Sequence, residues 1–476
     1  MLTFGEILNV LLKQHNLKAK EVAEKIGVSE SYFSRLKKGQ IMPQNYELIH
    51  NIAEAINLPE HEKRMLINAY KVTKLGEDIM SIEGTIQNLY KISFPKKITT
   101  ENIVEIGLEN GDTISGMENI VSILNSMFSH STHMDCLFIP DNNQFCDLFR
   151  EKVSVKSSVS WLVYLDDTAD KQATNINIFT EMLSFLLSFQ ADVRCRYKDK
   201  EEYYLSTAFP FVFINEKELV LIKRDCKTAF YFDNQDFIRI TRDKFEEQIK
   251  VAAPFVLMLT GFEEYLENWH ALFTNPEKSN SDDLLIIEKR PCIIHEATHS
   301  DISLHISDNE HNDLLARTYL DFLKWSAIRL KTQEMMFSVE GIREYFSAEV
   351  YHEYSRHLTK PISKALRREF FVKLIEMSKR KKFLVPEVML DLPFGQSDIR
   401  VINIWKSGIV LIVFDFDEAF RIAVMQEKTI ASSLWNYFHS LKDCGIVRDK
   451  KESIQIMEDE LRRETDKMNG KILEFN

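Results

Sequence analysis

Gly27 and Gly39 bracket a short segment near the start of the chain, and the pattern on either side of them constrains the fold more than any other feature of the sequence. Apolar residues recur at helical spacing from the outset, at Phe4, Ile7, Leu8, Leu11 and Leu12. Thr3 is placed to cap this first helix, with Glu6 as its reciprocal capping-box partner. A second short helix is predicted over about 18–26, with Val22, Ala23 and Ile26 facing inward. Gly27 breaks it at a position where a left-handed backbone is cheap only for glycine. Ser29 is a good N-cap for a third helix, Glu30 to Lys38, which Gly39 ends. Pro43 sits in the next loop, a fourth helix carries Tyr46, Leu48, Ile49, Ile52, Ala53 and Ile56, and residues 60–75 read as a last helix of this part.

The run from Lys20 to Gln40 therefore reads as helix, tight turn, helix, with Ala23 small where the two helices approach and Val28, Phe33 and Leu36 locking the second on the first. An ordinary helical hairpin does not account for all these positions together. The segment resembles the Cro/C1-type helix-turn-helix of phage repressors and of the bacterial regulators named after the xenobiotic response element, over about residues 4–70. That resemblance implies an N-terminal DNA-binding domain whose second motif helix enters the major groove. Carried onto this sequence, the base-facing positions are Ser29, Glu30, Ser31, Tyr32, Ser34 and Arg35. Arg35 suits bidentate pairing with guanine, and Glu30 suits acceptance from cytosine N4 or capping of the helix through its dipole. Lys18, Lys20, Lys37, Lys38 and Gln40 match phosphate-contacting positions, although Lys37 serves equally well as a solvated helix-end charge. One such domain reads a half-site, so the resemblance also implies a homodimer on a pseudo-palindromic double-stranded DNA operator.

Charge is divided to match. Residues 1–76 carry 11 basic against 8 acidic side chains, while the whole chain stands at −12. A slightly basic head on an acidic body suits a protein that meets phosphate at one end. Its 476 residues exceed one ordinary core, and 45% hydrophobic content indicates a globular rather than a disordered chain. The six cysteines include no C-x-x-C pair and read as buried thiols in a reducing compartment. No basic-then-apolar leader opens the chain, and the most apolar stretch, Val251 to Thr260, is far short of the ~20 residues a membrane helix needs. A cytoplasmic protein with no membrane partner is expected.

Beyond the head the pattern changes to α/β. Residues 77–113 read as a linker, 114–280 as an α/β effector and dimerisation unit, and 281–476 as a second α/β unit with a helical insertion. Met117 to Met127 and Ile176 to Phe189 are predicted helices. Asp135 to Pro140, Val159 to Leu165, Val193 to Tyr197, Phe209 to Ile214, Leu219 to Ile222, Ala229 to Phe232 and Phe237 to Ile240 are predicted strands, with a helix from about Lys244. In the second unit Asp301 to Ile306 resembles a strand and Asp313 to Trp325 a helix. A long helical stretch follows, then strands at Phe383 to Val388, Ile399 to Ile404, Ile409 to Phe414 and Phe420 to Val424, and a helix near Ile430 to Leu441. The segment from Val212 to Ile222 is echoed from Val401 to Ile412, which suggests two related units in tandem. Phe337 to Phe346, with Lys360-Pro-Ile-Ser and Arg367-Arg-Glu-Phe, resembles the effector region of Firmicutes regulators that carry such a head, and the strand order is similar to that of phospholipase-D-like folds.

Catalysis finds little support. Phospholipase-D chemistry needs H-x-K-x-x-x-x-D, and the nearest run, His61-Glu-Lys63, ends at Asn68 inside the helical head. His295-Glu296-Ala-Thr-His299 satisfies the H-E-x-x-H pattern of zinc peptidases, in which Glu296 would polarise water, and a zinc metallopeptidase fused to the head is the alternative reading. Its flanks, however, read as strand and loop rather than as a long helix. A non-catalytic interaction protein is a further alternative. No Gly-rich phosphate loop occurs, so no cofactor is expected. Trp161, Tyr203, Tyr204, Trp325 and Trp405 are aromatic side chains available to line an effector pocket, though core packing accounts for each of them more simply. The body is expected to answer an unknown small molecule, peptide or protein.

Overall fold

The computed structural model describes residues 2–92, 107–137, 142–167, 172–187, 189–198, 209–260, 264, 282–291, 330–347, 363–381, 384–390, 398–416 and 419–468. The head is all helical: α1 (Phe4–Gln14), α2 (Ala19–Lys25), α3 (Glu30–Lys37), α4 (Tyr46–Ile56) and α5 (Glu60–Leu75). Thr3 and Glu6 form the expected capping box. Residues that open the expected linker instead form another helix, α6 (Glu77–Leu89), because Lys71 on α5 and Glu83 on α6 make a buried ion pair at 2.9 Å. An α/β region follows, as the sequence implies. Chain contacts divide the molecule into two units, one of Met1–Gln87, Ser281–Pro393 and Ser432–Asn476, the other of Asn88–Asn280 and Phe394–Ala431.

The second of these units holds β1 (Thr113–Ser115), α7 (Met117–His130), β2 (His133–Leu137), α8 (Asn143–Lys152), β3 (Ser158–Leu165), α9 (Gln172–Leu186), β4 (Asp192–Tyr197), β5 (Phe211–Ile214), β6 (Leu219–Ile222), β7 (Thr228–Phe232), α10 (Gln235–Lys250) and β8 (Ala253–Leu259). It also holds β12 (Ile399–Trp405), β13 (Ile409–Phe416) and β14 (Ala419–Gln426). Its strands run in the order β1-β7-β6-β5-β2-β3-β4-β8-β14-β13-β12. β2, β3 and β4 are parallel neighbours, joined through α8 and α9, while β5, β6 and β7 form an antiparallel meander. Phe128, Phe149, Trp161, Phe185 and Phe213 pack edge-on and stacked in the core. Trp161 and Trp405 thus belong to the core rather than to a pocket lining. Tyr203, Tyr204 and Trp325 lie outside the described residues.

In the unit that contains the head, β9 (Asp282–Glu288), β10 (Leu330–Ser338) and β11 (Leu384–Met389) form a parallel set in that order, with α11 (Val339–Ser347), α12 (Lys364–Arg380), most of α13 (Lys428–Asp443) and α14 (Lys450–Met468). The pairing scheme recurs along the chain. Three parallel strands precede an antiparallel meander and a helix twice, first as β2–β4, β5–β7 and α10, then as β9–β11, β12–β14 and α13. The meander and closing helix follow the order that the echo between 212–222 and 401–412 suggests; the parallel strands before them are not part of that echo.

Two expectations are corrected. Phe237 to Ile240 is helical, inside α10, because Asn234 caps that helix by accepting from Phe237 N at 3.0 Å. Leu330 to Ser338, within the expected long helical stretch, is the central strand β10. Its Leu, Lys, Gln, Glu and Met favour helix, but ladder pairing on both sides overrides the propensity.

The head is seated within its own unit on the turn between α13 and α14. Tyr70 Oη donates to the carbonyl of Cys444 at 3.0 Å, and Arg448 pairs with Glu47. That turn is strapped to the end of β11, with Leu390 N donating to Ile446 O and Arg448 N to Val388 O, each at 2.9 Å. Just before it, Lys442 bridges Glu334 of β10 and Glu387 of β11 at 2.6 and 2.7 Å, and His439 reaches Glu334 at 2.9 Å. Burial pushes the Glu387 carboxyl up to about 7, against the pull of Lys442, while hydrogen bonds from His439 and Lys442 outweigh the desolvation of Glu334 and hold it down at about 2.

Candidate nucleic-acid interface

Lys18 stands at the N-cap of α2 with extended backbone, and the Glu21 carboxylate reaches back to accept from its N–H at 3.5 Å. Val22 and Ala23 of α2 and Phe33 and Leu36 of α3 are buried, and the two helices pack on each other. Gly27 takes φ +69°, and Val28 N closes the turn by donating to Ala23 O at 3.0 Å. Ser29 then caps α3, its hydroxyl accepting from Tyr32 N at 3.1 Å. A cap of this kind stabilises a helix by about 1 kcal/mol and leaves the positive end of the helix dipole at the first turn.

A close approach from α1 fixes where α3 ends. A side chain on Gly5 would place its first carbon 2.7 Å from Gly39 N, 2.9 Å from Gly39 Cα and 3.0 Å from Leu36 O. All three are backbone atoms, which cannot swing aside. α1 is also clasped to α5, by Phe4 N donating to Thr73 Oγ1 at 2.9 Å and by His15 against Glu62 at 2.5 Å. Lys25 Nζ ties α2 to α4 through Ala55 O at 3.0 Å. α3 is thus held by neighbours that leave its outer face bare.

On that face Glu30, Ser31 and Arg35 are exposed, as are Lys18, Lys20, Lys38 and Gln40 around it. Among the described residues Lys18, Lys20, Arg35, Lys37 and Lys38 make no ion pair, which leaves their charge available to an outside anion. Ser29 is exposed, but its hydroxyl is committed to the cap. Ser34 and Lys37 are half-buried. Tyr32 is half-buried too, and its hydroxyl is turned inward, buried without a hydrogen-bond partner among the described residues. The arrangement offers one carboxylate and one guanidinium at the front of a capped helix, with amines flanking it. That is the chemistry of base-edge contact combined with phosphate contact.

Sequence reasoning passed over Gly5, although a glycine inside an apolar helical run is itself a sign of close backbone approach. The motif at His295, Glu296 and His299 lies outside the described residues, and among those described no cluster of His, Cys, Asp and Glu is arranged to hold a metal ion. No described helix is long and apolar enough to cross a membrane.

The model of the Cro/C1-type HTH DNA-binding domain matches residues 8–60. No curated protein matches the chain. By structure the chain is similar to a phosphatidylserine synthase of Haemophilus influenzae Rd KW20, at 10% identity and a TM-score of 0.24, over 82% of this chain and 99% of that one. It is also similar to TrmBL2, an archaeal chromatin protein whose structure is described as showing a novel mode of DNA binding, at 12% identity and a TM-score of 0.21, over 52% of this chain and 99% of that one. Likenesses at these TM-scores carry no argument about fold or activity. The helical head, in its sequence match and in its capped helix-turn-helix geometry, is a Cro/C1-type DNA-binding domain.

Proposed function

We propose that the chain is a sequence-specific transcriptional regulator that binds a pseudo-palindromic operator as a homodimer in the cytoplasm. In this reading the body dimerises and answers a small molecule, peptide or protein, and no catalysis is assigned to it. Residues 1–76 are the reading head, 77–113 its connection, and 114–280 and 281–476 the two parts of the body. Ser31, Arg35 and Glu30 address base edges, while Lys18, Lys20, Lys38 and Gln40 address phosphates. Ser34 supports the same face. Ser29 acts mainly as cap, and Tyr32 packs more than it reads.

The observation that carries the reading is the match of residues 8–60 to a DNA-binding family, joined to a capped helix whose surrounding cations have no partner among the described residues. The test is selection from a random-duplex library at physiological salt, with Arg35→Ala alongside. Enrichment of a pseudo-palindrome by the parent is expected, with base preference relaxed at one position of each half-site in the variant, for a loss of about 1–3 kcal/mol. Salt-sensitive binding without enrichment refutes sequence-specific regulation.

A further inference from the structure

The head has two working faces, and they point to different tasks. Its α2–α3 face carries the exposed residues described above. A different surface, Tyr70 of α5 and Glu47 of α4, meets the turn of Cys444 to Arg448. The docked state leaves Glu30, Ser31 and Arg35 exposed, so the contact does not occlude the reading helix. Nor is the seat a loose loop. Gly445 turns the chain after α13 at φ +68°, Val447 bridges to Met389, the last residue of β11, and Lys442 pins the last turn of α13 between Glu334 and Glu387. A DNA-binding domain that needed only a tether would have no use for a buried hydroxyl-to-carbonyl bond and an ion pair to one rigid turn.

We propose that the α13–α14 turn is a positioning seat: it holds the reading helix at a fixed attitude, and through it the body sets the separation of half-sites the protein accepts. Tyr70 and Arg448 are positioning residues, which touch no DNA and act through the head they hold. The inference rests on the regulator reading given above. It predicts a head whose spacing is set by the body rather than adjusted to the DNA, because two rigidly seated heads can match only one register of major grooves.

The test uses the full chain with Tyr70→Phe, which keeps the ring and removes the hydroxyl, and Arg448→Gln, singly and together. Spin labels at the exposed positions Lys13 and Lys451 report the distance between head and seat. Affinity is measured for the selected operator and for versions with the half-sites moved apart by about half a helical turn and by about one turn. The parent should give one narrow distance and lose affinity steeply, by about a hundredfold, at the half-turn offset. The double variant should broaden the distance and flatten that loss to about tenfold or less, with affinity for a single half-site within about twofold of the parent. An unchanged distance distribution and spacing profile overturns the proposal. Tighter binding by the variants overturns it as well, since it would make the contact inhibitory. Arg35→Ala in the same assay separates the two readings: if it binds like the parent, the regulator assignment fails, and if it loses selectivity while the seat variants behave like the parent, only the seat fails.

Discussion

Gly5→Ala is the sharpest test of how the head is packed. One methyl group would sit 2.7 Å from Gly39 N and 2.9 Å from Gly39 Cα, inside any normal contact distance. Because the obstructing atoms are backbone, α1 and the end of α3 must separate by several tenths of an ångström. Overpacking of this kind costs about 1–3 kcal/mol. Alanine recovers up to about 1 kcal/mol of helix propensity over glycine, and less this close to a helix end. The net expectation is a loss of about 1–2 kcal/mol, confined to the head. Hydrogen exchange on the full chain reads it directly: amides of α1 and α3 should exchange about 5–30-fold faster, while those of β2–β4 hold their rates. In the regulator reading proposed above, DNA affinity should fall with it, since the same displacement moves α3. Exchange in α1 that is equal to or slower than that of the parent would refute the close approach.

The remaining predictions concern buried charge. The Glu387 carboxyl is pushed up to about 7. Its penalty is therefore absent while folded and unfolded states are both protonated, grows as pH rises from about 4.5 towards 7, and stays constant above, at of order 3 kcal/mol. Glu387→Gln should raise the denaturation midpoint at pH 8 and lose that advantage by about pH 4.5; parallel pH curves for parent and variant would count against it. Glu334, held down at about 2, works in the opposite sense, stabilising fully above about pH 4.5 and losing its contribution as pH falls towards 2. Lys71→Met strands the buried Glu83 carboxylate and should cost about 3–5 kcal/mol, whereas adding Glu83→Leu should restore most of it. A double variant as unstable as the single one would show that the pair is not what joins α5 to α6.

Much of the head was legible because its determinants are local. Thr3 with Glu6, Gly27, Ser29 and the apolar spacing of α1 to α4 act within a few residues of one another, and such patterns can be read along a line. The meander of Phe211 to Phe232 was legible for the same reason, as alternation between turn residues. The failures came where distant partners decide or where an apolar run is too short to show its period. Leu330 to Ser338 is made largely of helix formers, and its neighbours β9 and β11 turn it into a strand. Phe237 to Ile240 is too short an apolar run to tell period two from period 3.6 without weighing the Asn234 cap. At the candidate site, the residue types and positions around α3 were readable, but the inward turn of the Tyr32 hydroxyl and the commitment of Ser29 to the cap were not. The cluster of Glu334, Glu387, His439 and Lys442 draws on two strands and a helix, and no spacing along the chain announces it.

The bond from Tyr70 to the Cys444 carbonyl joins residues 374 positions apart, and this orders events in time as well as in space. The five helices of the head fold on short-range contacts, which form early. At a synthesis rate of ~5–20 residues per second, the turn that receives Tyr70 leaves the ribosome roughly 20–75 s later. For that interval the helices of the head exist without the turn that receives Tyr70. A chain that stopped short of Cys444 would carry α1 to α5 without the carbonyl that receives Tyr70, so the length of chain made, and not only its sequence, sets whether the head is seated.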